Sequence, residues 1–141
     1  NLRDVLEVRR SLEELAIDLA CQRITEEELD ELNKAEVDFK AAIENGDAMQ
    51  IAQTDESFHE IIYNSTKNQK LVQILNNLRE QMYRYRVEYL KDERNYPTLM
   101  REHSEIVEGL MTKDKGRVTE AMHKHVKNQV VAVKEMIREQ E

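Results

Sequence analysis

Few residues in this sequence can break or staple a chain: among 141 residues there are 3 Gly, 1 Pro and 1 Cys. So thin a supply of turn formers excludes a turn-rich β-sandwich or barrel and leaves an all-α composition. The lone Cys21 excludes an internal disulfide framework and accords with a reducing compartment, so a cytoplasmic location is expected. No run approaches the roughly 20 apolar residues a membrane-spanning helix requires, and Asn1-Leu2-Arg3-Asp4 does not read as a signal peptide. Cations are also in deficit, 21 Lys and Arg against 29 Asp and Glu, for a formal charge of -8. A surface that grips a phosphate backbone clusters Lys and Arg. Nucleic acid is therefore not expected as a direct partner of this segment.

What is present is apolar periodicity, over a length that suits one domain spanning residues 1–141. Leu2, Val5, Leu6, Leu12, Ala16, Leu19 and Ala20 form a first helical stripe. Thr25 and Glu28 make a capping box for a second helix, which turns Leu29, Leu32, Ala35, Phe39 and Ile43 inward and stops at Asn45-Gly46. Asp47 caps a third helix carrying Ile51, Asp55, Phe58, His59 and Ile62. Asn68 caps a long fourth with Leu71, Ile74, Leu75, Leu78, Met82, Tyr85 and Tyr89 inward. After a charged connection from Lys91 to Tyr96, Pro97 suits the first position of a fifth helix, with Leu99, His103, Ile106 and Leu110 on one face. Asp114 caps a sixth, with Val118, Met122, His125, Val126 and Val133. The short connections imply an antiparallel bundle of roughly six or seven helices around a central pocket.

Several titratable groups fall on the wrong face for solvent. At about 100° per residue, Asp55 and His59 lie in the stripe of Ile51, Phe58 and Ile62, and His103 and His125 each sit mid-stripe on their own helices. Burial of such groups costs several kcal/mol unless each finds a hydrogen bond, an ion or a metal. A single inward histidine is more often a satisfied core residue. Three of them with an aspartate, on three helices, point instead to a coordination shell, because imidazole nitrogen and carboxylate oxygen are donors for zinc, nickel, manganese or iron. The expected ligands are Asp55, His59, His103 and His125, with zinc first among the metals. A di-iron reading of Glu56-x-x-His59 and Glu120-x-x-His123 fails on facing, since Glu56, Glu120 and His123 turn away from the apolar stripes. Arg9 and Glu13 share the first stripe, either as an ion pair or with Arg9 projecting into the pocket. Tyr85, Arg86 and Tyr89 bring hydroxyls and a cation onto the inner side of the fourth helix, either at a bundle rim or toward a ligand.

Taken together, Glu7-Val8-Arg9-Arg10-Ser11-Leu12-Glu13, Asp55-x-x-x-His59, Asn68-x-x-Leu71, Glu102-His103, and Ala121-x-x-x-His125 placed 22 residues after His103 resemble the FCD domain. That is the effector-sensing C-terminal domain of the FadR subfamily of GntR-type bacterial transcription regulators, and the likeness extends over nearly the whole chain. It implies that Asp55, His59, His103 and His125 hold a divalent metal and that a small carboxylate metabolite binds beside it. Since a guanidinium offers a carboxylate a planar bidentate fork, Arg9 and Arg86, with Tyr85, are the expected effector contacts. It also implies a homodimer that meets DNA only through an N-terminal winged helix-turn-helix. The chain opens inside a helical pattern and without Met, so that DNA-reading segment is expected in a longer protein. The competing expectations are a hydrolase-type metalloenzyme, for which no general base stands out, and a purely structural dimerisation module.

Overall fold

The computed structural model describes residues 2–140. Among them, seven α-helices and one 3₁₀ turn account for the architecture: α1 (Leu2–Arg23), α2 (Glu26–Asn45), α3 (Ala48–Ser65), α4 (Gln69–Gln81), α5 (Tyr83–Lys91), the turn Glu93–Asn95, α6 (Tyr96–Met111) and α7 (Lys115–Gln140). The expected all-α bundle is thus observed, and no described helix is long and apolar enough to cross a membrane.

The helix ends follow the local chemistry. Thr25 accepts from the Glu28 amide while the Glu28 carboxylate accepts from the Thr25 amide, so two otherwise orphaned donors are satisfied at the start of α2. Gly46 closes α2 at φ 69°, a left-handed conformation that costs glycine nothing. Asp47, Asn68 and Asp114 accept from the first-turn amides of α3, α4 and α7. Two lysines also adopt positive φ, Lys67 and Lys113. Each compensates through its ammonium, Lys67 to Glu28 at 2.6 Å and Lys113 to the Ile24 carbonyl at 3.1 Å.

One expectation is corrected here. The long fourth helix is two helices, broken at Met82, whose amide donates to the Arg79 carbonyl at 3.1 Å, one residue short of the α-helical partner. Ile74, expected inward, is 37% exposed, and the buried stripe of α4 runs Leu71, Leu75, Arg79 instead. The charged connection after Lys91 contracts to Asp92 and the 3₁₀ turn, and Pro97 falls in the first turn of a helix that starts at Tyr96.

The main core joins Leu6, Ile17 and Ala20 of α1 with Phe58 and Ile62 of α3, Ile106 and Leu110 of α6, and Val118, Met122 and Val126 of α7. Each of the larger side chains among them contributes about 1.5–3 kcal/mol by leaving water. Near the turn between α6 and α7 the two helices touch backbone to side chain at Gly109, where a Cβ would collide with Cγ1 of Val118. α3, α6 and α7 therefore meet in the centre of the molecule. Their inward polar residues share one place.

Candidate metal centre

Asp55 and His59 stand one turn apart on α3, His103 comes from α6 and His125 from α7, and all four are fully buried. One ring nitrogen each of His59, His103 and His125 lies within 4.8 Å of the other two, a spacing at which the three histidines could hold a metal ion. Oδ1 of Asp55 is 3.4 Å from Nε2 of His59 and 3.1 Å from Nε2 of His103. It stands beside two of the three histidines rather than within the compact trio. The His103 ring is clamped between Phe58, stacked at 4.0 Å with 1° between planes, and Phe39 at 4.2 Å. The His59 ring stacks on His125 at 5.1 Å. Aromatic packing thus fixes where the lone pairs point.

Most of these polar atoms form no hydrogen bond within the protein. Both ring nitrogens of His59, both of His103 and both oxygens of Asp55 are buried without a hydrogen bond, since the short distances among them are too poorly aligned for one. An unsatisfied buried polar atom costs on the order of 1–3 kcal/mol, and six on three neighbouring residues are hard to explain as packing. Their protonation suits ligation. Burial pushes the His59 imidazole down to about 3 against the pull of Asp55, and burial likewise depresses His103. Burial works to raise the Asp55 carboxyl, but the adjacent His59 and His103 rings outweigh it and hold it well below the usual carboxylate range. Neutral imidazoles and an ionised carboxylate are the forms a cation requires.

His125 is oriented from behind. Its Nδ1 donates to the Glu102 carboxylate at 2.8 Å, and Asn128 donates to the other Glu102 oxygen at 2.6 Å. With Nδ1 as donor, the Nε2 lone pair faces the cluster. The Gln129 side-chain amide, one turn further on, donates to that Nε2 at 3.4 Å, while its oxygen accepts from Arg9 at 2.9 Å. The Arg9 guanidinium is therefore one side chain removed from a candidate ligand, and it also pairs with Glu13 at 3.5 Å. Both sequence readings of Arg9, ion pair and inward projection, describe the same buried residue.

The remaining sequence candidates separate. Arg86 is 6% exposed and pairs with Glu56 at 2.8 Å. Tyr85 turns to the opposite side of α5, along a surface cleft with α7 that includes Met136, and joins neither arginine. His123 pairs with Glu14 at the surface and Glu120 is exposed, so the second Glu-x-x-His motif points away from the donors. Sequence reasoning missed Glu102, Gln129 and Arg79 as site residues. The first two carried a readable signal, Glu102 by adjoining His103 and Gln129 by sharing a helical face with His125. Arg79 is buried and lies 3.7 Å from Oδ2 of Asp55. Nothing but its place on the α4 stripe marked it.

Known proteins resemble this chain in sequence and in fold. It is 29% identical over 124 residues to the uncharacterized HTH-type transcriptional regulator YdhC of Bacillus subtilis (strain 168), a match covering 87% of this chain and 54% of that protein. The chain thus spans about half the length of that curated relative. Its fold superposes on E. coli McbR/YncC with a TM-score of 0.87 at 20% identity, over 96% of this chain and 68% of the other. The FCD domain matches residues 4–128, and the chain belongs to that family.

Proposed function

We propose that this chain is the effector-sensing domain of a GntR-type bacterial transcription regulator of the FadR subfamily, with a divalent metal held by Asp55, His59, His103 and His125. The observation that carries the reading is the convergence of buried donor residues from three helices, with Asp55, His59 and His103 making no hydrogen bond within the protein. The ion, zinc before nickel, manganese or iron, supplies a positive anchor for a small carboxylate metabolite. Glu102 keeps His125 in the ligating tautomer, and Phe39 and Phe58 hold the His103 ring. Arg9, fixed by Gln129 and Glu13, offers its planar guanidinium to a carboxylate group of the effector.

Signalling follows from where these groups sit. A ligand that touches α1, α3, α6 and α7 together favours whichever helix arrangement it binds better. A winged helix-turn-helix linked ahead of α1, in a cytoplasmic homodimer, then changes its grip on DNA. The family match and the regulator YdhC support that reading.

The test is elemental analysis with thermal unfolding. The purified domain is expected to carry divalent metal, and free metal at 1,000 times its dissociation constant adds about 4 kcal/mol of stability, an increment that His103→Ala removes. Absence of metal, with a melting temperature indifferent to chelator, overturns the proposal.

A further inference from the structure

Outside the histidine cluster, α3, α4 and α5 enclose an open groove of about 1140 Å³. Two features set it apart from an ordinary surface cleft. Its floor holds two guanidiniums, Arg79 and Arg86, that are 2% and 6% exposed. Its walls are apolar where they meet Ala52, Tyr83 and Val87. The break at Met82 puts the two arginines on different helices, yet both turn to one carboxylate, Oε2 of Glu56, at 3.4 Å from Arg79 and 2.8 Å from Arg86.

Glu56 does not fill the site. The Nε atoms of Arg79 and Arg86 and one terminal nitrogen of Arg86 remain buried without a partner. Glu56 itself is 46% exposed and reaches in from the rim. A bidentate carboxylate on a guanidinium makes two parallel N–H···O bonds, and a single Glu56 oxygen shared between two arginines makes neither pair complete. The charges are also balanced for an exchange. At the arginine pair Asp55 and Glu56 offset Arg79 and Arg86, while Lys91 stands with Glu60 and Glu80 among the other lining residues. A monoanion that takes the place of Glu56 keeps the arginine pair balanced, and a dianion would overshoot it.

We propose that this groove is a binding site for a small monocarboxylate with an apolar body, and that Glu56 is a displaceable latch standing where the ligand's carboxylate goes. The head pairs with Arg86 and Arg79 while the body lies along Ala52, Tyr83 and Val87. Arg79 also touches Asp55 at 3.7 Å. Occupation of the groove therefore reaches a candidate metal ligand through one side chain. The inference deepens the sensing role proposed above and rests on it for its regulatory meaning, but the groove's chemistry is independent of the ion.

The experiment is an NMR titration of the ¹⁵N-labelled chain with benzoate, observing the arginine Nε–H signals, assigned through Arg79→Lys and Arg86→Lys. Benzoate is expected to shift the Arg79 and Arg86 signals saturably, with and without chelator. Glu56→Gln, at a half-exposed residue, should tighten binding about tenfold, about 1.4 kcal/mol, and Arg86→Gln should abolish the shifts. Neutral benzamide should bind at least tenfold more weakly. Equal binding of benzamide, or an affinity unchanged in Glu56→Gln, overturns the proposal even should Arg86→Gln fail to fold. Shifts seen only in metal-loaded protein and indifferent to Glu56→Gln overturn the groove and leave the metal centre standing. Shifts that persist in a chain that binds no metal uphold the groove and sink the metal centre.

Discussion

The histidine cluster and the arginine cluster are neighbours, joined by the contact between Asp55 and Arg79, yet they hold their polar atoms differently. Around Asp55, His59 and His103 the donors are uncharged or anionic, rigidly stacked and without hydrogen bonds. Around Arg9, Arg79 and Arg86 the groups are cations, each facing at least one carboxylate: Glu13 for Arg9, Asp55 and Glu56 for Arg79, Glu56 for Arg86. The first arrangement gathers lone pairs and one carboxylate, which Arg79 of the second cluster faces at 3.7 Å. The second has cations whose carboxylate partners are close but incompletely bonded, which is how a chain keeps charge buried while remaining open to exchange.

That contrast can be broken at three points. Arg9→Ala takes from buried Glu13 the cation it pairs with, and loss of one partner of such a pair costs about 3–5 kcal/mol, read as a lowered urea midpoint. Unchanged stability would mean that Glu13 is protonated and the second cluster is not ionic. Acid should strike the first cluster. The His59 pKa in the folded protein, about 3, lies below the roughly 6.5 of an unfolded chain, so the unfolded state takes up the proton first. In metal-free protein, stability is then full above about pH 6.5 and falls toward pH 3 by about 1.4 kcal/mol per unit for this residue; His103 adds in the same direction. A flat unfolding midpoint between pH 7 and 5 would contradict the burial of neutral imidazoles. The smallest effect is expected for Glu102→Gln, which removes the charge behind His125. Metal affinity should drop about 10- to 100-fold, as for other carboxylates behind ligating histidines, measured by competition with a chromophoric chelator.

The two clusters were also unequally legible in the sequence. Asp55, His59, His103 and His125 interrupt apolar stripes at positions where a helix otherwise buries carbon, and that anomaly is visible to periodicity alone. Arg79 interrupts a stripe in the same way, but a charged residue on a surface helix ordinarily reads as solvated, and Ile74 appeared the better inward residue. The break at Met82 was hidden for a different reason. Leu75, Arg79, Met82, Arg86 and Tyr89 are all buried at steps of three and four, so the pattern runs through the break as if the helix were continuous. No glycine or proline marks it, and only the shortened Met82 hydrogen bond does. Capping was the most transparent signal: Thr25, Asp47, Asn68 and Asp114 each cap the helix their side-chain chemistry anticipated.

Gly109 has a mechanical meaning. Without a Cβ it lets α6 lie against Val118 of α7 more closely than any side chain would allow, so the two helices are keyed together near their shared turn. His103 and His125 stand on this keyed pair, whereas Asp55 and His59 stand on α3. A larger residue at position 109 would wedge α6 away from α7, so a residue that carries no chemistry helps to set the spacing of two candidate ligands.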